Sequence, residues 1–273
     1  MKYKKVLLAS LLAASGFAGQ SAYAAANWIG TADYTAGVGA GGDEEVVGPF
    51  STYDFGSGVV LLKPTGTVGS TTSFNGYYQT FVTKHELAGV PVTGSNLLDN
   101  TYELTVVASF TQDVTVVSAT TSDISVNSGG MFKLYRDTTP DRNFATDSGF
   151  SDGGLIMTGT ILGGVGSAFS TGGMIFGATD ISIAITGYDT SVYEPDTIAT
   201  GGGIFTLRLG SPLDAPFLSG VTSVQGNSVV SGDFKFAADG YLALAVPEAQ
   251  TYAMMLAGLG LVGFMARRAR ATV

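Results

Sequence analysis

From Tyr102 to Phe110 the chain reads Tyr-Glu-Leu-Thr-Val-Val-Ala-Ser-Phe, with an apolar side chain at every second position. Successive side chains of an extended strand point to opposite faces. Tyr102, Leu104, Val106, Ala108 and Phe110 therefore share one face, and Glu103, Thr105, Val107 and Ser109 the other. This alternation predicts a half-buried strand. It recurs in DVTVVSA, MFKLYRD, GLIMTGTIL, DISIAITGYD, GIFTLRLGS and DFKFAADGYLAL. Glycine-rich turn signals separate these runs: NSGG, SDGG, STGG, ATGGG and VQGNS. Ser95–Asn100 is expected as a turn. No internal repeat of fixed period is visible, which argues against propellers and β-helices. The expected fold is all-β, an antiparallel sandwich of jelly-roll type.

The two ends depart from this pattern. Lys2, Lys4 and Lys5 precede an apolar run from Val6 to Ala14, and Ala22-Tyr23-Ala24 and Ala24-Ala25-Ala26 offer A-x-A cleavage sites. This is the layout of a secretory signal peptide, cut after Ala24 or Ala26 by signal peptidase. At the other end, 18 uncharged residues lie between Glu248 and Arg267. As a helix they would span roughly 27 Å, close to the thickness of a thin hydrocarbon layer. Arg267, Arg268 and Arg270 follow at once, and such a cluster stays on the cytoplasmic side. Pro247 pushes Val246 toward an extended conformation and marks the helix start. The domain reading is thus 1–26 signal peptide, 27–245 exported β domain, and 246–273 sorting segment with a transmembrane helix.

The order Val246-Pro247-Glu248, apolar helix, arginine cluster resembles the PEP-CTERM sorting signal of Gram-negative bacteria. Ala249 stands where that pattern has a second proline. The resemblance implies export across the inner membrane with only transient residence in it. It further implies recognition by an exosortase, cleavage near Pro247-Glu248, and release to the cell surface or extracellular matrix. The stretches YELTVVASFTQDVTVV, GGMFKLYRDTTPDRNFATDSGFSDGGLIMTGTIL and GGGIFTLRLGSPLDAPFLSGVTSVQG are similar to flocculation-associated PEP-CTERM proteins of floc-forming bacteria. That resemblance implies a secreted, non-enzymatic protein that helps exopolysaccharide retain cells in flocs or biofilm.

Charge narrows the partners. The chain carries a formal −9. Between the two processed ends it keeps 7 of 13 Lys and Arg and 21 of 22 Asp and Glu, a formal −14. Nucleic acid and anionic membranes both attract basic surfaces, so neither is an expected partner. There is no cysteine, hence neither a disulfide framework nor a thiolate site.

Three motifs invite a chemical reading. Gly37-Val38-Gly39-Ala40-Gly41-Gly42 fits G-x-G-x-x-G, but Asp43, Glu44 and Glu45 follow and would repel phosphate. The stretch from Thr35 to Phe50 is expected as a mobile loop. Gly149-Phe150-Ser151-Asp152-Gly153 fits G-x-S-x-G, yet the single histidine, His85, lies upstream and is expected on the surface between Lys84 and Glu86. Asp137, Asp141, Asp147 and Asp152 form an acidic, loop-rich cluster, a weak candidate for Ca²⁺. Asp caps turns through its own backbone, which is the commoner use. No catalytic residue and no firm cofactor is expected. The competing reading is a carbohydrate-binding or carbohydrate-cleaving β protein. Its sugar-stacking rings would come from Trp28, Tyr53, Tyr77, Tyr78 and Tyr135.

Overall fold

A computed structural model describes residues 26–92, 97–171, 174–198, 202–209, 218–246 and 259. The expected signal helix and C-terminal transmembrane helix lie outside these residues. Among the described residues no helix is long and apolar enough to cross a membrane.

The strands in chain order begin with β1 (Ala26–Asn27), β2 (Gly30–Asp33), β3 (Val46–Phe50), β4 (Thr52–Phe55), β5 (Gly58–Val68), β6 (Thr71–Leu87) and β7 (Val90–Pro91). They continue with β8 (Glu103–Val116), β9 (Thr121–Val126), β10 (Met131–Asp137), β11 (Gly154–Thr171) and β12 (Met174–Tyr188). Last come β13 (Tyr193–Glu194), β14 (Gly202–Leu209), β15 (Ser223–Val224), β16 (Asn227–Ser228) and β17 (Phe234–Val246). Every alternating run named from sequence falls largely in a strand. Ser95–Asn100 also closes as a turn in its described part, where the amides of Asn100 and Thr101 donate to the Leu97 carbonyl.

The pairings do not divide into two packed sheets. β5 pairs with β6, β6 with β8, β8 with β10, β10 with β11, β11 with β12, β12 with β14, and β14 with β17. β17 then pairs back onto β5, and every pairing is antiparallel. Two staves are each made of two successive strands. β9 continues β10's place between β8 and β11, and β4 continues β5's place between β17 and β6. The result is a closed, eight-stave, up-and-down barrel, which corrects the expected jelly-roll sandwich. Closure removes the two open edges that a flat version of the barrel sheet would have. Register shifts at Pro64/Gly66, Asp54/Phe55 and Ile161/Gly163 supply the local bends that closure requires.

The interior is packed. Phe205 on β14 meets Phe55, Tyr78 and Phe132 with ring centroids 5.8, 5.4 and 6.1 Å away. On β8 the apolar series from Tyr102 to Phe110 faces this core as expected. Its other face departs from the half-buried reading near the start of the strand. Glu103, Thr105 and Val107 are buried as well. The segment after β10 covers them: Thr105 Oγ1 donates to the Phe150 carbonyl at 3.0 Å, and Val107 packs with Tyr135 and Phe150.

The barrel has two unlike ends. One is plugged. There the small sheet β13-β2-β3 brings in Trp28, Tyr34 and Phe50, all within 1% of full burial. β1 pairs with the end of β17, Ala26 opposite Val246, so the first and last strands meet at this plug. The opposite end, where β8 and β11 finish and β9, β12 and β17 begin, opens into an apolar cavity of about 290 Å³.

His85 lies inside the plug, not on the surface. It is 3% exposed, with Nε2 2.6 Å from the Tyr34 hydroxyl. Tyr34 donates to Tyr53, and Tyr53 donates to Tyr193. Burial pushes the His85 pKa down to about 3. The unfolded chain takes up its imidazole proton near pH ~6.5, whereas the folded protein refuses it until about 3. Stability contributed by the neutral ring is therefore full above ~6.5 and drains away as pH falls toward 3. Between pH 6.5 and 4.5 the native protein should lose about 2–3 kcal/mol more than a His85→Gln variant, read from urea unfolding. Equal losses in the two proteins would show that His85 is not the group responsible.

Candidate functional site

The Gly-rich stretch after β2 is not a loose loop. It wraps Arg136, which stands on β10 at 1% exposure. Arg136 Nη1 donates to the Tyr34 carbonyl at 2.5 Å and to Glu44 Oε1 at 3.0 Å. Nη2 donates to the carbonyls of Gly37 and Val38. Glu44 also accepts from the amides of Gly41 and Gly42 at 2.8 and 2.7 Å. Burial pushes the Glu44 carboxyl up, but these amides and the guanidinium together hold it below the ordinary range. The literal G-x-G-x-x-G is thus a cradle for an internal cation, and the end of the stretch expected as a mobile loop, from Val46 to Phe50, is strand β3.

The acidic cluster is partly assembled. One carboxylate oxygen from each of Asp137, Asp141 and Asp152 lies within 4.8 Å of the others. Partial desolvation, then the charges of Asp152 and Asp137, raise the Asp141 carboxyl above its usual value. Such a triad offers three oxygens to a hard cation, fewer than the six to eight Ca²⁺ takes, so water or carbonyls would have to complete the shell. Asp147 is not part of it. Its carboxylate accepts from the amides of Gln225 and Gly226 at 2.9 and 2.7 Å, pinning the β15–β16 hairpin to the segment between β10 and β11.

Ser151 is exposed in the turn before β11, while His85 is enclosed by Tyr34, Phe50 and Tyr53. The structure does not bring the two together. The glycines of G-x-S-x-G serve the turn instead. Gly149 has φ +78°, and a Cβ there would come within 2.5 Å of the Arg142 backbone. A Cβ on Gly153 would meet the Arg136 carbonyl at 2.4 Å.

The same turn borders a groove of about 410 Å³ on the outer wall. Lys133, Tyr135, Asp152 and Gln225 line it, together with Gln79, whose side-chain nitrogen is buried with no partner. Sequence reading found Tyr135 and Asp152 but not Gln79. The signal was present, since a glutamine sits in the otherwise aromatic and β-branched Tyr77–Val82 run. Other expected sugar-stacking rings are spent on packing. Trp28, Tyr53 and Tyr78 are buried, and Tyr77 lies against the cluster formed by Val59, Leu61, Val221 and Val224.

Of the sorting residues only Val246 is described, and it lies at the plugged end. Val246 is the last residue of β17. Pro247, Glu248, Arg267, Arg268, Arg270 and the cleavage residue Ala24 lie outside the described residues, while Ala26 is held in β1. Residues 245–270 match the family model described as the PEP-CTERM protein-sorting motif. The chain carries a PEP-CTERM sorting signal. This signal implies an exported, exosortase-processed protein with a surface or extracellular destination. It occupies only the C-terminal end and leaves the barrel unassigned. No curated protein and no solved structure matches the chain.

Proposed function

We propose that this is a non-enzymatic surface or matrix protein that helps exopolysaccharide hold cells together in flocs or biofilm. The observation that carries the reading is a PEP-CTERM signal joined directly to the last strand of a closed barrel. The exported body is then a compact β unit released outside the cell. Its one histidine is locked in the core, so the only imidazole base for a serine hydrolase is out of reach of Ser151 and of solvent.

A second reading, a carbohydrate-binding protein, draws on the outer-wall groove, where Lys133, Tyr135, Asp152 and the unpartnered Gln79 amide nitrogen face one space. Polar planar groups beside a ring suit a glycan. The two readings are compatible if the groove is the polysaccharide contact. With a formal −14, the body would be repelled by acidic polysaccharide unless cations bridge them. The Asp137, Asp141 and Asp152 triad is the natural place for such a bridge.

Deleting the gene is expected to release cells from flocs while polysaccharide is still made. Flocs unchanged by the deletion would reject the matrix role. Chelating Ca²⁺ and Mg²⁺ should detach the protein from polysaccharide more than added monovalent salt does. Attachment indifferent to chelator would mean that neutral-sugar or protein contacts hold it.

A further inference from the structure

The open mouth of the barrel is independent of the sorting signal and of the outer-wall groove. Its cavity of about 290 Å³ is walled by β5, β6, β8, β9, β11, β12 and β17. Leu62, Phe74, Val114, Ile124 and Phe236 are among the apolar residues that line it, and Gln112 is set among them. Among the described residues no charged side chain lines it.

Gln112 is the anomaly. On β8 the inward series runs Phe110, Gln112, Val114, Val116, from the packed core to the rim. Phe110 is 4% exposed and Val116 56%. Gln112 stands at the floor of the cavity, paired across the barrel wall with Phe74 and Val126. It is 4% exposed, and its amide nitrogen has no hydrogen-bond partner within the protein. A buried donor without an acceptor opposes folding, and native proteins keep few of them without a use. A largely apolar pocket with one placed polar group is the usual build of a small-molecule site.

The chemistry selects the ligand. An apolar cavity of 150 Å³ holds benzene, so this one has room for roughly ten carbons. The uncharged lining disfavours a carboxylate or ammonium head, because neither would find a counter-charge. The Gln112 donor asks for an oxygen acceptor at the floor. The rim residues Val116, Ile175 and Phe234 are apolar and 37–56% exposed, which suits a hydrocarbon chain running outward. We propose that the barrel mouth binds a neutral single-chain lipid of about ten carbons, whose hydroxyl or carbonyl oxygen accepts a hydrogen bond from Gln112 Nε2.

The test uses the secreted protein and two probes. N-phenyl-1-naphthylamine reports occupancy of the apolar mouth by its fluorescence, and 1-decanol competes for the same space. Saturable probe binding and displacement by 1-decanol are expected, with decanoate the weaker competitor. Gln112→Leu should keep the probe bound but weaken 1-decanol about five- to tenfold, the loss of one hydrogen bond. Ala168→Trp, which fills the cavity from β11, should abolish both. If that variant does not fold, Val114→Phe blocks from β8. The proposal is overturned if the wild-type protein binds neither probe, if Gln112→Leu leaves 1-decanol unaffected, or if binding survives a blocking variant. It is equally overturned if binding appears only after residues 210–217 are replaced by a Gly-Ser linker, since the chain's own segment would then be the occupant.

Discussion

Protein recovered from outside the cell is expected to lack both chain ends, beginning at Ala25 and stopping near Pro247. The structure adds a reason to prefer one of the two signal-peptidase sites. Ala26 pairs with Val246 and Asn27 with Ala245, and the Trp28 amide donates to the Leu244 carbonyl. Cutting after Ala24 keeps this ladder whole, whereas cutting after Ala26 removes its first residue. At the C-terminus, replacing Arg267, Arg268 and Arg270 together by Ser should remove the stop that fixes the segment's orientation. The processed extracellular form should fall by at least tenfold. Intact-mass spectrometry reads both results, and a secreted species still carrying Arg267–Arg270 would sink the sorting reading.

The other large effect is on stability. Glu44→Ala should destabilise the barrel by about 3–5 kcal/mol, the usual result of removing one partner from a buried ion pair. Arg136 and Glu44 side chains are both 0% exposed, so water cannot replace the lost carboxylate. The loss is compounded because the Gly41 and Gly42 amides give up their acceptor at the same time. Exported domains of this size have ~5–15 kcal/mol in all, so the variant should unfold at much lower urea. A loss under ~1 kcal/mol would mean that the carbonyls of Tyr34, Gly37 and Val38 satisfy the guanidinium unaided. Exposed pairs such as Lys84 with Asp54 should show little by comparison.

These residues also show what could be read from sequence. Period-two alternation gave away β8, β10, β11, β12, β14 and β17, because each buries one face against a continuous core. It could not distinguish a sandwich from a barrel, since the inward pattern is the same in both. The distinction rests on β17 meeting β5, with Phe234 opposite Leu62, a pairing that no local signal announces. His85 was misplaced for a local reason. Val82 faces inward, so strict alternation would send Lys84 in and His85 out. A register shift at this point, Lys84 opposite Asp54 but Val82 opposite Phe55, reverses the phase and turns His85 into the plug. Arg136 was hidden differently. It keeps the inward phase of Phe132 and Leu134, but its partner Glu44 lies far away in sequence, in a segment that reads as solvated loop. Gln112 broke an otherwise apolar series in plain view. Its meaning depended on there being a cavity beside it.

The pairing of the first and last strands at the plug has a mechanical consequence. Val246 ends β17, whose length is bonded to β14 on one side and to β4 and β5 on the other. Inter-strand hydrogen bonds run across the strands. Tension drawn from the C-terminal end against a load on the rest of the barrel therefore pulls along the axis of β17. Its ladders are strained in shear, many bonds at once, where a strand peeled sideways would give way one bond at a time. A protein tethered by this end would hold its shape under drag.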